Sequence, residues 1–167
     1  MDSHVALPFA VDHHFYATGH MGGADPKDVV NNPNGCLTRP DGAQGACHCF
    51  EYLGTEWVGL FWLNDYENWG ENPGLRIEPG VRRVTFFAAS DPPGMAVTFF
   101  SGLSTEHEYG DTFSGELAPT LTNTFLPVPY SIDLSAAEYQ RGVLSGFGWV
   151  MGGGEPGTLY IDDIRWE

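Results

Sequence analysis

The sequence is short of charge. Charged residues fill only 17% of its 167 positions, whereas exposed helical faces normally carry many Glu and Lys, so long helices are hard to place. Positive charge is scarcer still: seven Lys and Arg stand against 22 Asp and Glu, a formal net charge of −15. No basic stripe offsets that excess, so a nucleic-acid partner is not expected, and an anionic membrane surface is disfavoured for the same reason. No apolar run approaches the ~18 residues of a membrane helix, so membrane insertion is not expected either. The opening Met1-Asp2-Ser3-His4 has no basic stretch leading into an apolar one, and no secretion signal is visible. Local catalytic signatures are missing too: HExxH, G-x-S-x-G and P-loop patterns are absent, and no glycine-rich turn opens a helix as a dinucleotide fingerprint requires.

What is present points to β-structure. Hydrophobic residues make up 42% and aromatics 14%, enough for one domain over 1–167 to bury a core. Twenty-two glycines and 12 prolines punctuate the chain every few residues, which suits short strands and tight turns. Strand-like runs are expected at 9–16, 47–53, 57–63, 81–89, 95–101, 121–133, 143–151 and 158–166. A Gly-rich loop over 18–25 and a turn-rich loop over 24–46 lie between the first of them. Ser90-Asp-Pro-Pro-Gly94 is expected to join 81–89 and 95–101 as a hairpin. One helical turn is expected over 135–140, with Ser135 as cap and Glu138 three residues on. The fold class is therefore all-β, a two-sheet antiparallel β-sandwich.

The final run, Leu159-Tyr-Ile-Asp-Asp-Ile-Arg-Trp166, carries more information. By alternation Leu159 and Ile161 share one face, and Ile164 and Trp166 the other. If all four are core, the parity switches at Asp162-Asp163, which implies a β-bulge there. Such a bulge can aim a carboxylate at a fixed point and create a cation site at the sandwich edge.

Together with Gly146-Phe-Gly-Trp149 and Tyr130-Ser-Ile-Asp-Leu-Ser135, this ending resembles the closing strands of β-jelly-roll carbohydrate-binding modules. It is most similar to the xylan- and glucan-binding types attached to bacterial polysaccharide-degrading enzymes. The resemblance covers the chain from Val81 onward and rests largely on core and turn residues. It implies a jelly roll and non-catalytic binding of polysaccharide or oligosaccharide. It also implies an exported module, extracellular or periplasmic, attached to a larger secreted protein. A structural calcium ion would join Asp12 in the first strand to Asp162 in the last, with Asp163 the competing choice. The first half of the chain matches no family pattern, so a ligand face cannot be carried over.

That face has to be sought in the residues. Trp57, Phe61, Trp62, Tyr66 and Trp69 fall within thirteen positions, with Asn64, Asp65, Asn68 and Glu71 among or just after them. Sugar rings pack their C–H faces on aromatic rings while carboxylates and amides bond to their hydroxyls. On a strand over 57–63, Trp57, Gly59, Phe61 and Leu63 share one face and Val58, Leu60 and Trp62 the other. Both faces are apolar, so Trp57 and Phe61 are expected in the core. Tyr66 and Trp69, with Trp62 behind them, are the expected stacking platforms. Asn64, Asp65, Asn68 and Glu71 are the expected hydroxyl partners.

Three cysteines remain. A disulfide from Cys36 to Cys47 or Cys49 would staple the turn-rich loop, worth ~3 kcal/mol by loop entropy, and a three-thiolate metal site is the weaker alternative. Adjacent His13 and His14 face opposite ways on a strand, and His14 could meet His20 only if the intervening loop folds back. Glu106-His107-Glu108-Tyr109 sets acid, base and phenol side by side, although adjacent residues rarely converge on one substrate. The alternative function is thus a small lyase, hydrolase or metal-dependent oxidase on the same scaffold; a hydrolase would need two carboxyl groups about 5–10 Å apart.

Overall fold

The computed structural model describes residues 4–23, 29–31, 36, 38–54 and 56–167. Its strands are β1 (Phe9–Ala10), β2 (Tyr16–Gly22), β3 (Val29–Asn31), β4 (His48–Tyr52), β5 (Val58–Leu63) and β6 (Arg83–Asp91). They continue as β7 (Val97–Ser101), β8 (Gly115–Leu117), β9 (Tyr130–Asp133), β10 (Ser145–Met151) and β11 (Gly157–Trp166). All ladders between named strands are antiparallel. The first sheet runs β3-β4-β11-β6-β9, with β1 also pairing β11, and the second runs β2-β5-β10-β7-β8. This is the expected two-sheet sandwich, and a single 3-10 turn, Val11–His13, is the one helical element among the described residues.

The two sheets meet over an aromatic core. Trp62, Trp149 and Trp166 are wholly buried there, beside Phe50, Phe86, Phe99 and Phe147. Each such ring contributes about 1.5–3 kcal/mol by leaving water. Several ring pairs meet edge-on, as Trp62 does with Phe147 at 5.2 Å, an arrangement their quadrupoles favour.

The closing strand is kinked as its parity requires. Asp162 opposes Phe87 and Arg165 opposes Thr85, so one extra residue sits on β11. Asp163 takes it up with φ 52°, and Leu159, Ile161, Ile164 and Trp166 all reach the core.

Several expectations about the strands are corrected. The run 9–16 is broken at Val11–His13, so Phe9–Ala10 joins the first sheet while the chain re-enters as β2 in the second. The glycines after Tyr16 extend β2 to Gly22 as an edge strand instead of looping out; 24 and 25 lie outside the described residues. Runs 81–89 and 95–101 form no hairpin, because β6 pairs β11 and β9 whereas β7 pairs β10 and β8. The Pro92-Pro93-Gly94 link crosses between the layers, with Gly94 at φ 83°. Only Tyr130–Asp133 of the run 121–133 is strand, because Pro127 and Pro129 cannot donate to a ladder. No helix forms over 135–140: the Ser135 N–H donates to Asp133 Oδ1, a local turn that competes with helix, and Ser135 caps nothing.

Candidate functional site

The two faces of β5 answer to different partners. Val58, Leu60 and Trp62 enter the main core, while Phe61 and Leu63 form a second cluster with Leu103 and Leu144 on the outer face of the second sheet. Partners across that sheet share a face, so Gly19, Phe61, Gly148, Phe100 and Glu116 form one transverse row. Met21, Gly59, Val150 and Thr98 form the next. Glycine at 148 is needed by the row itself: a Cβ there would lie 2.3 Å from the Phe61 ring, so the ring lies flat across the bare backbone. Gly59 is similarly covered by Val150, a Cβ there coming 3.1 Å from its methyl. Filled this way, the face has low relief. Phe61 and Phe100 sit 6.1 Å apart in its middle, and Phe100 is half-exposed.

Aromatic and apolar groups stand open around that centre. Trp57 precedes β5 with the same parity as Phe61 and is 46% exposed, so its expected core position is corrected: Gly22 and the edge strand lie beside it, and no second layer covers it. Tyr16 on β2 is 54% exposed and Tyr66, in the loop beyond β5, is 71% exposed. From Trp57 to Leu63 the strand spans about 20 Å at 3.3 Å per residue.

The loop 64–73 continues from β5, and the sequence-derived candidates divide within it. Asn68 is buried as the loop's hub. Its Nδ2 donates to Asn64 Oδ1 at 3.0 Å and to the Asn72 carbonyl at 3.1 Å, and its Oδ1 accepts from Gly70 N and Asn72 N. Half-buried Asn64 gives its own amide to the Pro73 carbonyl. Both side chains therefore shape the loop, and Asn68 is not presented to a ligand. Trp62 is likewise corrected as a stacking ring: it is wholly buried and donates Nε1–H to Asp12 Oδ1 at 2.9 Å. Trp69 is half-buried against the Phe61–Leu63 cluster. Asp65, Tyr66 and Glu71 remain exposed.

Glu71 Oε2 accepts the Trp69 N–H at 2.8 Å, and Oε1 lies 3.3 Å from His107 Nε2. Backbone donors at Glu71 itself and Trp69, with His107 nearby, hold its carboxyl below the usual range. His107 belongs to the loop 103–111, which abuts the first loop where Tyr109 N–H donates to the Gly70 carbonyl at 3.0 Å. Asp111 ties this second loop to the sheet, accepting from Leu103 N, Leu144 N and Ser145 N. Burial pushes its carboxyl up to about 6 against the pull of those three donors. Glu106, His107 and Glu108 are exposed and Tyr109 is half-buried, so 106–109 is a solvated loop. His14 packs edge-on against Phe9 at 5.3 Å, while His20 is carried off along β2, so the two do not converge.

The acids expected to bind calcium sit at the bulge of the central strand β11, where its pairing with β4 ends, and in the 3-10 turn Val11–His13. Asp12 Oδ1 accepts from Trp62 Nε1 and His48 Nε2, and its Oδ2 accepts from Ala46 N at 2.9 Å. Burial alone would raise the Asp12 carboxyl, but His48, Ala46 and Trp62 together hold it below its ordinary value. Asp162 is wholly buried; Arg39 grips both its oxygens at 2.9 and 3.0 Å, and Asp163 N donates to Oδ1. Asp163 Oδ1 accepts from Gln44 N and Arg165 Nε. These oxygens face N–H donors, three of them fixed backbone groups, and that surrounding does not fit a calcium ion, which requires six to eight oxygens. Among the described residues no group of three or more His, Cys, Asp or Glu is arranged to hold a metal. Cys36 and Cys47 form the disulfide, and Cys49 is buried and free.

Two antiparallel layers closed by a bulged final strand define a β-jelly-roll fold, and solved structures share it. The family 11 carbohydrate-binding module of the cellulosomal cellulase Lic26A-Cel5E of Clostridium thermocellum shares the fold with a TM-score of 0.55. The match has 11% identity over 90% of this chain and 86% of that one. The family 30 module of the cellulosomal cellulase Cel9D-Cel44B of the same organism matches at TM-score 0.54 and 12% identity, over 98% of this chain and 94% of the other. No protein-family model matches the sequence, and no curated protein matches it significantly.

Proposed function

We propose that this chain binds neutral polysaccharide or oligosaccharide, without cleaving it, on the outer face of its second sheet. The observation that carries the reading is the exposure of aromatic and apolar groups on and beside that face. Of the seven exposed large hydrophobic residues among the described ones, four are Tyr16, Met21, Trp57 and Tyr66. A low-relief surface edged with open rings suits the flat C–H faces of sugars, and Glu116, Asp65 and Glu71 supply acceptors for hydroxyls. The net charge of −15 favours an uncharged chain over a polyanion. The shared fold of the family 11 and family 30 modules, named for carbohydrate binding, supports the same reading. A Cys36–Cys47 disulfide supports an exported setting, since such bonds persist in oxidising compartments.

Affinity gel electrophoresis against xylan, mixed-linkage β-glucan and mannan tests it. The wild-type chain is expected to be retarded by at least one polymer, and Trp57→Ala with Tyr66→Ala to run free. Phe125→Ala, in a cleft of about 580 Å³ on the opposite sheet with Phe87 and Asp41, serves as the control and is expected to stay retarded. Unchanged mobility on every polymer refutes the proposal. Release of reducing ends during incubation would replace it with an enzyme on this scaffold.

A further inference from the structure

We infer that the cation bracing the closing strand is the guanidinium of Arg39 in place of calcium, and that the Cys36–Cys47 disulfide holds the loop that delivers it. The jelly-roll resemblance implies a metal between Asp12 and Asp162, yet the acceptors gathered there already converge on an arginine. Asp162 binds Nε at 3.0 Å and an Nη at 2.9 Å, the bidentate fork that guanidinium and carboxylate form best. The Gly45 carbonyl accepts from the same Nη at 2.9 Å. A carboxylate and a main-chain carbonyl are typical calcium ligands, and here they share one nitrogen.

The neighbouring acids are supplied in the same way. His48 and Trp62 occupy Asp12, and Arg165 with Gln44 N occupies Asp163. Arg39, Gln44, Gly45 and Ala46 all lie between the two disulfide-bonded cysteines, eleven positions apart. The staple therefore returns one short loop to the bulge of β11, carrying the Arg39 guanidinium for Asp162 and the Gln44 N–H for Asp163, with the Ala46 N–H reaching Asp12 beside it. Asp162 is wholly buried, so without Arg39 it would be an unpaired charge inside the protein. This inference is independent of the sugar-binding reading.

Thermal unfolding of the full chain, after chelation and dialysis, tests it with and without millimolar calcium chloride. The wild-type midpoint is expected to agree within about 2 °C between EDTA and calcium, because a ligand without a site gives no linkage. Arg39→Ala is expected to lower it by about 10 °C and Arg39→Lys, which keeps charge but loses the fork, by roughly half of that. Should Arg39→Ala fail to fold, the lysine variant and the wild-type calcium comparison still decide the matter. A wild-type midpoint raised several degrees by calcium overturns the inference, as does an Arg39→Lys midpoint equal to the wild type's.

Discussion

Replacing Asp111 with Asn should remove a pH dependence that the wild-type fold carries. The carboxyl is buried, with both oxygens turned to main-chain donors on Leu103, Leu144 and Ser145, and burial raises it from about 3.8 to about 6. Between those values the folded chain holds a proton that the unfolded chain has released. Its stabilising contribution is therefore complete below about pH 4, declines as pH rises, and is gone above about pH 6. At about 1.4 kcal/mol per pH decade the loss amounts to about 3 kcal/mol. Asn cannot ionise, and its amide nitrogen must face at least one donor, which adds a fixed penalty that does not vary with pH. The assay is urea unfolding of both chains at pH 4, 5, 6 and 7. Subtracting the two curves cancels the background from the other 21 acids. Wild-type stability relative to Asp111→Asn should fall by about 3 kcal/mol across that range and stay level above it. A flat difference, or a rise with pH, would show that the three N–H donors outweigh burial, and the reasoning would fail.

Other consequences can be checked alongside. Gly148→Ala should tip the Phe61 ring off the outer face, costing about 1–3 kcal/mol in chemical unfolding and weakening gel retardation on a responsive polymer. Trp62→Phe should cost about 2–3 kcal/mol by removing the donor to Asp12 and leaving a void, yet leave retardation unchanged because the ring is internal. Cys36→Ser should lower stability by about 3 kcal/mol through the opened loop, a loss that reducing agent should reproduce in the wild type but not enlarge in the variant.

The closing strand was readable because its constraint is local. Four apolar residues with broken alternation around Asp162-Asp163 leave a bulge as the economical solution, and Asp163 adopts it. The 81–101 region misled because turn chemistry reports where the chain reverses and is silent on whether the returning strand pairs with its predecessor. Pro92-Pro93-Gly94 serves a step between layers as well as it serves a hairpin. At the candidate face, the alternation separating Trp57 and Phe61 from Trp62 was visible, but which side met the other sheet was not. Gly59 was the overlooked sign, since a glycine among large residues on one side of a strand marks where a neighbour's side chain must lie flat. Phe100, Tyr16 and Met21 join that face only through pairing across four strands, a relation that linear spacing does not contain. Arg39 was unmarked for the same reason: its partner lies 123 positions away.

The strand orders carry a consequence for how the protein is made. In one layer β11 lies between β4 and β6, and in the other β10 lies between β5 and β7, so both midlines are drawn from residues 145–166. Everything synthesised earlier supplies flanks awaiting their middles. A nascent chain emerging from the ribosome therefore has no completed layer to fold against until these two strands arrive, and long-range pairing of that kind is slow. Versions shortened before Ser145 should emerge as aggregation-prone halves, and biogenesis in vivo should lean on chaperones that hold the chain open until both central strands are free.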